Sequence, residues 1–308
     1  NLVVLVRFQG DNTGDAGQPE ESLGYNKPYS GVTANAPRTW WERLMRRFNG
    51  EQDAYAPNSL REYFTNVSYG AHSLISVFPQ TNADGTVTYL RLSGSAADYS
   101  GTAGAAKLIG EVAEQMNQLY PDLDGSTLDL NGDDVLDSLM VLATVPNSGT
   151  FTDCAAADGS GAQIAGKAIG AYSILETTYT GAASADTFDI QTAVHAYLHA
   201  LGLPDNYRGQ GLSGAPVDIW DPMGTAAAKG RPWLLAAMRE RLGWTSIRQI
   251  GTQTASYQLY APSSADGSVK QQALKVRTPL SGSEYFVIEY RKQGDSYGVN
   301  TMDWTMQG

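Results

Sequence analysis

Two of the chain's 3 histidines, His195 and His199, fall within a stretch whose apolar pattern runs from Phe188 to Leu201 and stops at Gly202 and Pro204. A helix there projects both imidazoles from one face, about one turn apart, which makes a bidentate platform for a metal. Gly202 lets the backbone leave the helix in a left-handed conformation, so Asp205 can return as an oxygen ligand. Three protein ligands with a fourth position left for water is the pattern of catalytic zinc, whereas structural sites close with four. The competing reading is two unrelated histidines on a partly buried helix, with Asp205 serving only the turn beside Pro204.

Composition narrows what surrounds this helix. Hydrophobic residues make up 42% and charged residues 17% of 308 positions, as in a globular protein with a substantial core. A net charge of −11 argues against nucleic acid and against anionic membrane as partners, because both are bound through basic surface. No run approaches the roughly 20 apolar residues of a membrane span, and Leu2–Val6 is too short for a signal-peptide core. The single cysteine, Cys154, excludes an internal disulfide framework and a cysteine-rich zinc site.

Along the chain, Leu2 to Phe8 reads as a buried strand and the polar stretch to Pro37 as a long loop. Thr39 with Glu42, and Ser59 with Glu62, form capping boxes that open two helices, the first ending at Asn49-Gly50 and the second at Ser68-Tyr69-Gly70. The first carries Trp40 and Trp41 for packing and Arg43, Arg46 and Arg47 for a solvated face. Ser73–Phe78 and Val87–Leu92 read as strands joined by an Asp84-Gly85 turn. Helical periodicity covers Ala105–Tyr120 and Trp233–Leu242, while Val135–Val145 reads as a buried strand. The remainder, Ser256–Tyr260, Leu274–Val276 and Tyr285–Tyr290, alternates like antiparallel strands.

The eleven residues His195-Ala-Tyr-Leu-His199-Ala-Leu-Gly202-Leu-Pro204-Asp205 resemble the zinc helix of the immune inhibitor A family of secreted bacterial metallopeptidases, whose pattern is H-E-x-x-H-x-x-G-x-P-D. Other segments resemble that family in the same order: Leu2–Phe8, Leu60–Phe64 with Ser68–Gly70, Trp220–Gly224, Arg241–Trp244 and Glu284–Arg291. The Gly10–Pro37 stretch has no counterpart. The resemblance implies an α/β zincin-type catalytic domain. Residues 1–202 would hold a mixed sheet and the zinc helix, and 203–308 a smaller subdomain with Asp205, a methionine turn at Met223 and β-rich closing segments. It implies zinc bound by His195, His199 and Asp205, protein or peptide substrates, and secretion; a monomer is expected. A start without initiator methionine or signal reads as a leader or prodomain removed or left out before Asn1, and the resemblance implies a further strand after Gly308.

One position departs from the pattern. The family's glutamate follows the first histidine; here that residue is Ala196. The glutamate takes a proton from the attacking water and passes it to the leaving amine, and a methyl group can do neither. Every metal-holding group is retained, so Ala196 reads as an engineered inactivation. The alternatives are a natural pseudopeptidase that binds protein or glycan without cutting it, and a calcium-stabilised surface module with an incidental histidine pair.

A second cluster supplies the calcium reading. Asp129, Asn131, Asp133 and Asp137 place oxygen side chains at positions 1, 3, 5 and 9 around Gly132, like the first part of a calcium loop. Position 12 is Met140 instead of glutamate, so an acidic turn before a strand is the equal alternative. His72 reads as an ordinary polar side chain. Tyr207 is a candidate substrate contact by its nearness to Asp205, although the chain has 17 tyrosines.

Overall fold

An uninterrupted apolar run such as Leu2–Val6 belongs in a strand covered on both faces, and all six residues of Leu2–Arg7 are buried. The structure is a computed structural model. It describes residues 1–10, 24–29, 36–50, 59–144, 161–177, 190–207, 216–224, 232–251, 253–263 and 271–292. Cys154, Phe188 and most of the Gly10–Pro37 stretch lie outside them. The strands are β1 Leu2–Arg7, β2 Leu90–Arg91, β3 Leu139–Thr144, β4 Gln163–Ile164, β5 Lys167–Ala168, β6 Tyr172–Thr177, β7 Arg248–Ile250, β8 Ala273–Arg277 and β9 Tyr285–Glu289. The α-helices are α1 Trp40–Asn49, α2 Leu60–Val67, α3 Gly101–Leu119, α4 Ile190–Ala200 and α5 Ala236–Arg241. Helices interleaved with parallel strands make this an α/β chain.

The chain divides into two compact units, 1–59 with 75–200 and 60–74 with 201–308. The units are not linear halves: α2 and the turn after it, which a cut at Gly202 assigns to the first, pack within the second.

In the first unit the sheet order is β2-β1-β3-β6, and every pairing is parallel, from Leu2 opposite Leu139 to Arg7 opposite Thr144. The mixed sheet expected here is therefore parallel. The expected hairpin of 73–78 and 87–92 forms only beside its turn, where Thr81 bridges Val87 antiparallel; the two runs otherwise make short parallel contacts with β1, Val77 on Leu2 and Leu90–Arg91 on Val6–Arg7. Between them the buried Gln80 side chain completes the ladder. Its Oε1 accepts the Leu5 N–H at 2.6 Å, and its Nε2 donates to the Leu5 carbonyl at 2.9 Å and the Thr88 carbonyl at 2.6 Å. The Asp84-Gly85 turn does form, with Gly85 at φ +81°.

α3 lays Leu108, Ile109, Val112 and Met116 into the core formed with Leu2, Val4, Val6, Leu139 and Val141. Each such side chain contributes roughly 1.5–3 kcal/mol by leaving water. α1 starts as expected, with Thr39 Oγ1 accepting the Glu42 N–H at 3.1 Å. The Glu42 carboxylate turns instead to the Arg38 N–H at 2.8 Å. Trp41 and Phe48 of α1 both pack edge-on against Phe78.

In the second unit β8 pairs antiparallel with β9, as expected for Leu274–Val276 and Tyr285–Tyr290, while β7, which the sequence does not offer as a strand, pairs parallel with β8. Ser256–Tyr260 forms no strand. α2 ends in two left-handed residues, Tyr69 at φ 55° and Gly70 at φ 80°, with the Gly70 N–H reaching the Thr65 carbonyl at 2.8 Å. A tyrosine in that conformation needs holding. Its hydroxyl donates to the Pro262 carbonyl at 3.0 Å and accepts from Arg239 at 3.2 Å.

Candidate metal centre

α4 is built to hold its histidines still. Ile190, Ala193, Val194 and Leu198 are buried, and so is His195 at 7% exposure, while His199 is half-buried. The helix packs on β6 and ends at Ala200, where Gly202 takes φ +84°. The two imidazoles stand edge to face with ring centres 4.7 Å apart, and their Nε2 atoms are 3.1 Å apart. Two nitrogens bound tetrahedrally at about 2.0–2.1 Å from one zinc stand about 3.3 Å apart, so the pair is close to the spacing a single ion requires.

Asp205 joins them. Ligand atoms of His195, His199 and Asp205 all lie within 4.8 Å of one another, and this group of three can hold a metal ion. It is the one such group among the described residues. Asp205 is exposed and sits in a segment without regular secondary structure. The chemistry of the donor set, two imidazoles and one carboxylate, fits zinc.

Ala196 is buried at 3% exposure beside the first ligand. Tyr197, also buried, has its phenol pushed up by desolvation and stays neutral. Tyr207 is 37% exposed, two residues beyond Asp205. Met223 is fully buried, and its carbonyl accepts the Asn206 N–H at 2.7 Å.

The acidic loop is organised otherwise than a calcium loop. The Asp129 carboxylate accepts N–H bonds from Gly132, Asp133 and Asp134 at 2.8–3.1 Å and meets Lys167 Nζ at 2.8 Å. The Lys167 ammonium, followed by these backbone N–H groups, holds the Asp129 carboxyl below its ordinary range. Asn131 donates to Asp133 at 3.0 Å, and Asp137 accepts the Leu130 N–H at 3.3 Å. Asp129, Asn131, Asp133 and Asp137 are thus engaged with the loop and with Lys167, not gathered around an empty centre. His72 is ringed by aromatics, packing on Phe64 and Trp244.

Three charged residues escaped the sequence reading. Asp221 is fully buried, its two oxygens accepting the Met223 N–H at 2.7 Å and the Leu235 N–H at 2.9 Å. Burial raises its carboxyl pKa, outweighing the two N–H donors that lower it. Arg291 donates to the Trp220 and Trp233 carbonyls, and Arg239 is fully buried against the Tyr69 and Trp233 rings. The only sequence signal for Asp221 was its place in Trp-Asp-Pro-Met-Gly, and for Arg291 its place at the end of Glu284–Arg291; Arg239 had none, because a helix pattern leaves such a charge on the surface.

No family model matches this chain, and no curated protein does. A solved structure, wild-type OgpA from Akkermansia muciniphila, is similar at a TM-score of 0.36 and 14% identity. The match covers 79% of this chain and 59% of that one, so this chain spans less than two thirds of the other's length. A score below 0.5 carries no argument about function. The resemblance to immune inhibitor A rests on the residues quoted above. No described helix is long and apolar enough to cross a membrane.

Proposed function

We propose that this chain is the catalytic scaffold of a zinc-dependent endopeptidase acting on extracellular proteins as a monomer, inactivated by alanine at position 196. The observation that carries the reading is the convergence of His195, His199 and Asp205 within 4.8 Å. These three residues would hold the ion. Bound there, zinc supplies Lewis-acid polarisation of a scissile carbonyl.

The rest of the chemistry belongs to the chain. α4 fixes the imidazoles by burying its apolar face, so the ligands are in place before a metal arrives. Position 196, next to the first ligand, is where a general base would accept the proton of the attacking water and return it to the leaving amine. A methyl group has no lone pair for that proton, so the chain as it stands binds without turning over. The same Ala196 supports the second reading, a natural pseudopeptidase that uses the site to bind protein or glycan.

The test is Ala196→Glu, assayed on casein with and without a zinc chelator. Chelator-sensitive cleavage that appears only in the glutamate form supports the peptidase. A glutamate form that folds, binds zinc and cleaves nothing across a broad peptide library selects the pseudopeptidase.

A further inference from the structure

We propose that Asp221 is a positioning residue for the metal ligand Asp205, acting through the backbone of the Met223 turn; this rests on the zinc reading above. Asp205 is exposed and belongs to a stretch, 203–206, with no helix or strand to hold it. A ligand on such a segment binds weakly unless something else orders it, since the ordering entropy then falls on metal binding. What orders it is a chain of short bonds inside one unit. The Asn206 N–H, directly after Asp205, donates to the Met223 carbonyl at 2.7 Å. The Met223 N–H donates to Asp221 Oδ1 at 2.7 Å, and Asp221 Oδ2 is anchored by the Leu235 N–H at 2.9 Å.

Asp221 and Met223 are both fully buried, so the link between them is not loosened by solvent. The turn between them is tight. Gly224 returns its N–H to the Asp221 carbonyl at 2.9 Å, and a Cβ on Gly224 would meet the Asp218 carbonyl oxygen at 2.1 Å. A carboxylate is the group that fits between two N–H donors, because both its oxygens accept. An asparagine there turns its NH₂ toward one of them, leaving two donors face to face.

Asp221→Asn is therefore expected to weaken zinc binding about 10–100-fold, the usual cost of disturbing a group that orients a ligand. Affinity would be read by competition with a chromophoric chelator, alongside the cobalt(II) absorption spectrum and hydrogen exchange at the Asn206 amide. Weakened affinity with a shifted cobalt spectrum, faster Asn206 exchange and unchanged β8 protection supports the proposal. Parental zinc affinity in D221N overturns it. If the parent chain binds no zinc, the metal reading fails, and the exchange measurement decides alone: Asn206 protection kept in D221N overturns the proposal, and its selective loss supports it. If D221N does not fold, Gly224→Ala displaces the same turn without touching a charge and is read the same way. In the parent chain itself, an Asn206 amide exchanging at the rate of an unprotected amide overturns the proposal whatever the variants do.

Discussion

Lys167 Nζ lies 2.8 Å from Asp129 Oδ2 and 2.8 Å from Asp134 Oδ1, placing an ammonium against the loop that sequence spacing offered to calcium. The loop already holds a cation, tethered to β5. Removing calcium with a selective chelator is expected to leave the melting curve unchanged, and Lys167→Met to lower Tm. A calcium-dependent Tm in the parent chain would restore the calcium reading.

The same pair sets a pH dependence. The Asp129 carboxyl is held below its ordinary 3.8, first by Lys167 and then by backbone N–H groups. A depressed carboxyl contributes stability that is present above 3.8 and lost as pH falls through its folded value. Lys167 is raised above its ordinary 10.5, chiefly by Asp129, so its contribution is full below that value and lost at higher pH. Stability measured from pH 2 to 6 should fall toward acid less steeply in Asp129→Asn than in the parent chain. Parallel curves would rule out this attribution.

His199→Ala removes one of the three proposed metal donors and should abolish stoichiometric zinc. In the parent chain, zinc at a hundred times its dissociation constant should add about 2.7 kcal/mol to stability. An equal zinc-induced rise in Tm for the alanine form would show that the ion sits elsewhere.

Ala196→Glu should raise casein cleavage at least about 10²-fold, the lower end of what a positioned general base contributes. Because position 196 is 3% exposed, the metal-free glutamate form should also melt below the parent chain, since a buried carboxylate without a partner is costly. An unchanged Tm would mean that the new side chain reaches water.

Gln80→Leu should destabilise the first unit by roughly 2–4 kcal/mol, because the Leu5 N–H and carbonyl lose their partners in a buried strand. Urea unfolding checks this. A loss below about 1 kcal/mol would show that neighbouring backbone closes over the gap.

Local pattern decided the elements that carry the histidines. The 3.6-residue periodicity of α3 and α4, the Thr39 cap of α1 and the stop at Gly202 depend on residues within a few positions of one another, so the sequence states them directly. The His195–His199 pair and Asp205 were legible for that reason. Partner choice was not. Whether 73–78 and 87–92 pair with each other or lie along β1 turns on contacts some 75 residues apart, such as Gln80 with Leu5, and alternation looks the same either way. Arg248–Ile250 shows no strand pattern, yet it forms β7 and runs parallel to β8. Lys167 reaches Asp129 across 38 positions, and Leu235 reaches Asp221 across 14, through sequence that carries no period. A charge is buried only when the folded chain brings donors to it, and that balance between desolvation and hydrogen bonding is settled in three dimensions.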